Sequence, residues 1–237
     1  MLKVELHSHT ADDPHDKIPY TTQQLIDRAA ALGYDALAIT LHDKQLDPAP
    51  FADYARERSI TLIPGIERTI EGKHVLMLNF RRGAEDVQSF DDLARLRQRE
   101  GGLVIAPHPF FPHSSCLGSL LERHAARFDA VEWNAMFTRA VNFNAAAVRW
   151  ARRHGKSVVG NGDVHRLRQL GTTFSLVDAP RNADADTICR AVREGRVQFE
   201  AQPLGVLQAG SIFAELAVDS LSRALTPFRR IPEYSVR

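Results

Sequence analysis

Short apolar runs alternate with segments whose apolar positions recur every three to four residues along most of the chain. The short runs predict strands at Leu2–Leu6, Ala36–Thr40, Thr61–Ile63, His74–Phe80, Leu103–Ala106, Ala130–Trp133, Ser157–Gly160, Thr173–Val177 and Val197–Ala201. The helical spacing predicts helices over about Gln23–Leu32, Phe51–Arg58, Asp91–Arg99, Gly118–Ala126, Phe143–His154 and Asp184–Glu194. Thr21 with Gln24 has the form of a capping box, and Gly33, Gly155 and Gly195 are natural stops. Pro64-Gly65 reads as the end of the third strand. This alternation is the pattern of an α/β fold with a largely parallel sheet, and about seven such units suggest one distorted barrel. An open doubly wound sheet is the alternative. No GxGxxG follows the first strand, which weakens its dinucleotide-binding form. Residues 1–205 are expected to form the domain. The segment 206–237, with an amphipathic helix at Ser211–Ala224 and a basic, Pro-containing end, is expected to pack on it.

Composition narrows the picture only a little. A formal net charge of +1 gives no global attraction to nucleic acid or membrane. It leaves room for a phosphorylated substrate if bound cations supply the positive charge. Cys116 and Cys189 are far apart and form no CxxC pair, so a reducing, cytoplasmic setting is expected. The start has no apolar signal core, and no run of 18 apolar residues suggests a membrane span.

The chemistry gathers where the strands end, which is where α/β barrels carry their active sites. The first strand delivers His7-Ser8-His9, the second His42-Asp43, the third Glu67. Leu103–Ala106 leads to His108, Ala130–Val131 to Glu132, and Ser157–Gly160 to Asp163-Val164-His165. In an extended segment residues i and i+2 project to one side, so His-x-His can grip one cation, and so can Asp-x-His. Neutral imidazole and ionised carboxylate suit Zn, Mn or Fe. Each feature has a plainer reading: His74 as an ordinary strand histidine, His108 as a rigid-turn residue between prolines, Asp163 as a helix cap. Asp12, Asp13 and Asp16 can be a solvated acidic loop, and Glu132 can orient a ligand or hold an arginine. The convergence of so many candidate ligands at one end favours a metal site over the sum of the plain readings. His113, His124 and His154 are read as bystanders.

At these residues the chain resembles the PHP (polymerase and histidinol phosphatase) family. The matching stretches are Leu6-His7-Ser8-His9-Thr10, Ala38-Ile39-Thr40-Leu41-His42-Asp43, Pro64-Gly65-Ile66-Glu67, His74-Val75-Leu76, Pro107-His108-Pro109 and Gly162-Asp163-Val164-His165. The resemblance implies a distorted (β/α)7 TIM-like barrel with two or three divalent ions in a cleft. His7, His9, Glu67 and Asp163 would hold the first ion. Glu67 would bridge to a second, completed by His74 and His108. Asp13, His42 and His165 would take a third. Relatives often carry Ser-Asp-Gly where this chain has Asp12-Asp13-Pro14-His15-Asp16, and some use a histidine corresponding to His15. Leu41 stands where many members have Asp.

The activity so implied is hydrolysis of a phosphate ester by a metal-bridging hydroxide. Glu67, Asp163, His108 and Arg166 are the residues expected to carry it, with Arg68 and Arg139 as further phosphate contacts. The expected substrate is small and phosphorylated, with a nucleotide or short oligonucleotide among the candidates. Phe110, Phe111, Trp133 and Phe137 can stack on a base or belong to the core. Three alternatives remain open. One is a nuclease, although no basic stripe with interleaved aromatics is visible. One is amide or cyclic-ester hydrolysis, which usually wants a bridging lysine where Glu67 stands. One is a catalytically inactive PHP-like regulatory module.

Overall fold

The protein is described by a computed structural model, covering residues 1–205 and 207–212. Met1–Leu204 form one compact unit and a second begins at Gly205. In the second unit residues 207–212 are helical. Apart from Ser211 and Ile212, the expected Ser211–Ala224 helix and the basic end lie outside the described residues.

Nine strands and six α-helices build the first unit: β1 (Leu2–Glu5), α1 (Thr22–Ala31), β2 (Ala36–Ile39), α2 (Ala52–Glu57), β3 (Thr61–Ile70), β4 (Lys73–Leu78), α3 (Phe90–Glu100), β5 (Leu103–Ala106), α4 (Leu120–Arg123), β6 (Ala130–Asn134), α5 (Asn144–His154), β7 (Ser157–Asn161), β8 (Thr173–Val177), α6 (Ala185–Arg193) and β9 (Val197–Ala201). The capping box at Thr21 forms, with the Thr21 side chain accepting from the Gln24 N–H and the Gln24 side chain accepting from the Thr21 N–H. Gly101 and Gly155 close α3 and α5 in the left-handed conformation. The helix expected over Gly118–Ala126 is only one turn, α4, followed by a 3-10 turn at Ala125–Arg127.

The sheet runs β7-β6-β5-β4-β3-β2-β1-β8-β9. Two trios within it, β1-β2-β3 and β5-β6-β7, are parallel. The remaining pairs are antiparallel, so the sheet is more mixed than the alternating pattern suggests. The cause is β3. It does not stop at Pro64-Gly65 but continues to Ile70 and turns through Glu71 (φ 51°) and Gly72 (φ 75°) straight into β4. Two successive residues at positive φ are the signature of a tight hairpin turn.

The sheet is a nearly closed barrel. At the seam, the Ser175 hydroxyl on β8 accepts from the Gly160 N–H and donates to the Gly160 carbonyl on β7, both at 3.0 Å. Gly160 permits this approach, since a Cβ there would stand 2.8 Å from the Phe199 Cβ. Helix α6 contacts β3, β5, β7 and β8, strands from around the whole sheet, and so plugs one end of the barrel. Its Ile188, Cys189, Ala191 and Val192 pack with Val4, Leu76, Ile105 and Val159. Each large aliphatic side chain so buried stabilises the fold by roughly 1.5–3 kcal/mol. The opposite end is left to polar groups.

Candidate metal centre

The open end is organised by the extension of β1. Ser8 bridges to Val164 on one side. On the other its N–H donates to the Thr40 hydroxyl, and its own hydroxyl donates to the Ala38 carbonyl. Pinned on both sides and extended, the segment sends His7 and His9 together to the face opposite Ser8. His42 bridges to Glu67 in the same way beyond β2. His74 joins them from the start of a strand, not the end. Because β4 runs antiparallel to β3, its first residues lie beside the last residues of β3. His108 (φ 30°) and Asp163 (φ 47°) are both in the left-handed region. Such strain costs on the order of 1–3 kcal/mol per residue and persists where surroundings enforce it.

Glu67 is the hub, 1% exposed. Its Oε2 lies 3.1 Å from His7 Nε2, 3.4 Å from His9 Nε2 and 3.2 Å from His42 Nε2. Its Oε1 lies 2.7 Å from His74 Nδ1 and 3.3 Å from His108 Nε2. Asp163 Oδ1 closes the other side, 3.3 Å from His7 Nε2, 3.6 Å from His9 Nε2 and 3.4 Å from His165 Nδ1. The structure therefore gathers His7, His9, His42, Glu67, His74, His108, Asp163 and His165 at one place. Asp13 Oδ2 is 2.9 Å from His9 Nδ1 and 3.0 Å from His42 Nδ1. Asp13, His42 and His165 do not form one group as expected. They divide between His9/Asp13/His42 and His9/Asp163/His165.

Charge is concentrated here far from water. Burial opposes protonation of His7, but the carboxylates of Asp163, Glu67 and Glu132 outweigh it and hold its pKa well above the ordinary value. The same contest raises His9, where Asp13 leads the carboxylates, and His108, where the hydrogen bond to the Cys116 sulfur leads and Glu67 follows. Burial alone would push Glu67 and Asp163 up. The surrounding histidines reverse this and hold both well below the usual carboxylate range. His42 goes the other way, because burial outweighs its contact with Glu67.

The residues fit divalent cations. Ligands at about 2.1 Å from a tetrahedral ion stand roughly 3.4 Å from one another, which matches the spread of 3.1–3.6 Å among His7 Nε2, His9 Nε2, Glu67 Oε2 and Asp163 Oδ1. His9 Nε2 is buried in this group without a hydrogen-bond partner. The outer nitrogens of both histidines are fixed by carboxylates, His7 Nδ1 by Glu132 at 2.8 Å and His9 Nδ1 by Asp13. That fixation turns each Nε2 inward, as in metal-bound imidazoles.

Some expected contacts lie elsewhere. Arg68 donates to the Val87 carbonyl and pairs with Asp43 at 2.7 Å. Arg166 follows His165 and donates to its carbonyl, while Arg139 is exposed on the loop after β6. His113 is exposed and meets Ser115, and Lys44 reaches the Asp12 carbonyl. His15 is exposed and 3.3 Å from Asp43. Phe137 is buried, Trp133 packs on Phe137 and Phe199, and Phe110 lies against the core. Phe111 alone of the four stands beside the site, its ring 6.4 Å from that of His108. Sequence reasoning read Asp16 only as part of a solvated acidic loop, whereas its carboxylate is 2.9 Å from His165 Nε2, and it missed Asn134 and Asn161, which hold Glu132. It also missed Glu5, wholly buried, accepting from the N–H groups of Gly162 and His7, its pKa pushed by burial up to about 8. Asn134 and Asn161 lie at the ends of β6 and β7, a position that could have marked them.

Comparison with known proteins agrees with this architecture. Residues 141–197 match a family model described as PHP-associated. No curated protein sequence matches the chain. A two-domain protein from Bacteroides vulgatus, described as containing a predicted PHP-like metal-dependent phosphoesterase, superposes with a TM-score of 0.65 at 20% identity, over 90% of this chain and 69% of that one. An amidohydrolase from Chromobacterium violaceum, solved with sulfate and no metal, gives 0.57 at 18% identity, over 82% and 97%. The lesion-specific endonuclease Q of Pyrococcus furiosus gives 0.57 at 14% identity, over 84% of this chain and 57% of its own. The fold is that of the PHP proteins.

Proposed function

We propose that this PHP-fold chain is a metal-dependent phosphoesterase acting on a small phosphorylated substrate, with nucleotides and short oligonucleotides in range. The observation that carries the reading is Glu67, a buried carboxylate whose two oxygens face different sets of histidines. His7, His9, Glu67 and Asp163 would hold one divalent ion, and Glu67, His74 and His108 a second. His42, with Asp13 or beside His165, would take a third. Mn, Fe and Zn all suit this donor set. Such ions, when bound, lower the pKa of water and neutralise phosphoryl oxygens.

The chain's own residues divide the remaining work. His7, His9 and Glu67 form the floor, at 1% exposure or less. His74, Asp163, His165, His108 and His42 form the rim, between 20% and 12% exposed. A phosphate entering over the rim meets these polar side chains. Asp163 stays ionised and accepts the Asn134 amide at 3.1 Å, which fixes the orientation of its carboxylate. Arg166 would pair with a phosphate oxygen, because guanidinium matches that geometry. A glutamate, Glu67, where a bridging lysine would be wanted argues against amide hydrolysis. The intact ligand set argues against an inactive module.

The test is turnover of p-nitrophenyl phosphate, a nucleoside monophosphate, a short oligonucleotide and a small amide by protein loaded with Mn, Fe or Zn. Phosphoester cleavage that stops with chelator and returns with metal is expected. Metal-loaded protein that cleaves only the amide, or none of them, contradicts the reading.

A further inference from the structure

One carboxylate outside the candidate ligand set contacts two of its members, His7 and His108. Glu132, wholly buried on β6, has no group in which it could hold an ion among the described residues. Its Oε1 accepts from His7 Nδ1 at 2.8 Å and from the Asn161 amide at 3.0 Å. Its Oε2 accepts from the His108 backbone N–H at 2.8 Å and from the Asn134 amide at 3.1 Å. Two donors on each oxygen fill the acceptor capacity of a carboxylate. Glu132 therefore has no lone pair left for an ion and distributes its charge to its neighbours.

The amides that hold it are themselves fixed. Asn161 Oδ1 accepts from the Leu6 N–H just after β1, and Asn134 Oδ1 accepts from the Met136 N–H, so each NH2 must face the carboxylate. The Asn134 NH2 also reaches Asp163 Oδ2 at 3.1 Å. The network thus touches His7 through its ring, His108 through the N–H of a residue at positive φ, and Asp163 through an amide. His7 and Asp163 belong to one proposed ion position and His108 to the other.

We propose that Glu132 is the positioning residue that couples the two halves of the metal centre, setting the His7 tautomer, the His108 backbone and the Asp163 carboxylate together. The proposal rests on the metal-centre reading above. It requires that a change at Glu132 weaken both ion positions although Glu132 touches neither. A purely structural role would lower thermal stability without moving the affinity of the folded protein for metal.

The experiment compares full-length wild type, Glu132→Gln and Asn134→Ala. Circular dichroism and thermal melts of the metal-free proteins establish folding. Zn2+ titration against a competing chelator measures each binding step, and the visible absorption of Co2+-loaded protein reports ligand geometry. Loss of an outer partner of a metal-bound histidine costs roughly 10–100-fold in affinity. Folded Glu132→Gln is expected to lose that much at both steps, with an altered Co2+ spectrum, and Asn134→Ala to lose less. Folded Glu132→Gln with both steps and spectrum unchanged overturns the proposal. If Glu132→Gln does not fold, Asn134→Ala decides, and unchanged affinity there overturns it. A wild-type protein that binds no Zn2+ or Co2+ overturns the metal-centre reading and this proposal with it. Wild-type binding with unperturbed variants removes only the role of Glu132.

Discussion

His7 and His9 stand two residues apart on one extended segment, yet their outer nitrogens are fixed by very different structure. His7 Nδ1 meets Glu132, carried on a strand inside the sheet and held by asparagines from β6 and β7. His9 Nδ1 meets Asp13, carried on the loop before α1. The Asp13 Oδ1 accepts from the N–H groups of His15 and Asp16, so a local turn sets its position. A partner on a strand is placed by the ladder and cannot move without the sheet. A partner on a turn can readjust with its loop. The two halves of the motif therefore differ in how much each depends on its support.

The sharpest break of this symmetry comes from below both histidines. Glu67→Gln removes the charge that faces His7, His9, His42, His74 and His108 at once. Metal affinity is expected to fall by more than about a hundredfold, beyond the loss of any outer partner. Metal content after dialysis checks this, and near-normal content would place the bridge elsewhere.

Next in size is the contrast between the two supports. Asp13→Asn is expected to weaken metal binding by about tenfold, the low end for an outer partner, against the larger loss for Glu132→Gln. Zn2+ competition titrations of both variants make the comparison. Equal losses would show that the loop is as rigid as the strand, and a larger loss for Asp13→Asn would make Asp13 a ligand in its own right.

The smallest effect is one of pH. His7, His9 and His108 hold protons more firmly than free imidazole in the metal-free protein, because carboxylates, and for His108 first the Cys116 sulfur, overcome burial. A metal ion must displace those protons. Affinity should therefore rise as pH increases through neutrality, and mixing with Zn2+ in weak buffer should release acid. Uptake without proton release, measured by calorimetry in buffers of different ionisation enthalpy, would contradict these protonation states. The histidine contribution to metal-free stability has the opposite sign. Raised folded pKa values stabilise fully below the unfolded value of about 6.5 and lose that stabilisation as pH climbs through the folded ones.

Much of this centre was legible because ligands lie at predictable strand ends. His-x-His and Asp-x-His each need only an extended backbone to aim two side chains one way, and the structure supplies it by pinning Ser8 and Val164 to each other. The β3–β4 hairpin was harder to see. Pro64-Gly65 looks like a turn, but Gly65 is there because a Cβ would stand 2.8 Å from Leu78 and 2.9 Å from Thr40. A glycine serving close packing has the same letter as one serving a bend. That one misreading hid the reason His74 stands beside Glu67. The Glu132 network was only half legible. Orienting a ligand was one of two readings of the carboxylate, and the structure gives it His7 and His108 as partners. Its asparagines carry no charge and no motif, so only the pairing of β6 with β7 reveals them.

The most direct test of the central claim is elemental analysis of the full-length protein, purified without chelator and compared with His7→Ala/His9→Ala. Two or three equivalents of Mn, Fe or Zn per chain, lost together in the variant while its fold persists, is the predicted result. Wild-type protein that carries no metal and takes up none on addition would contradict the account.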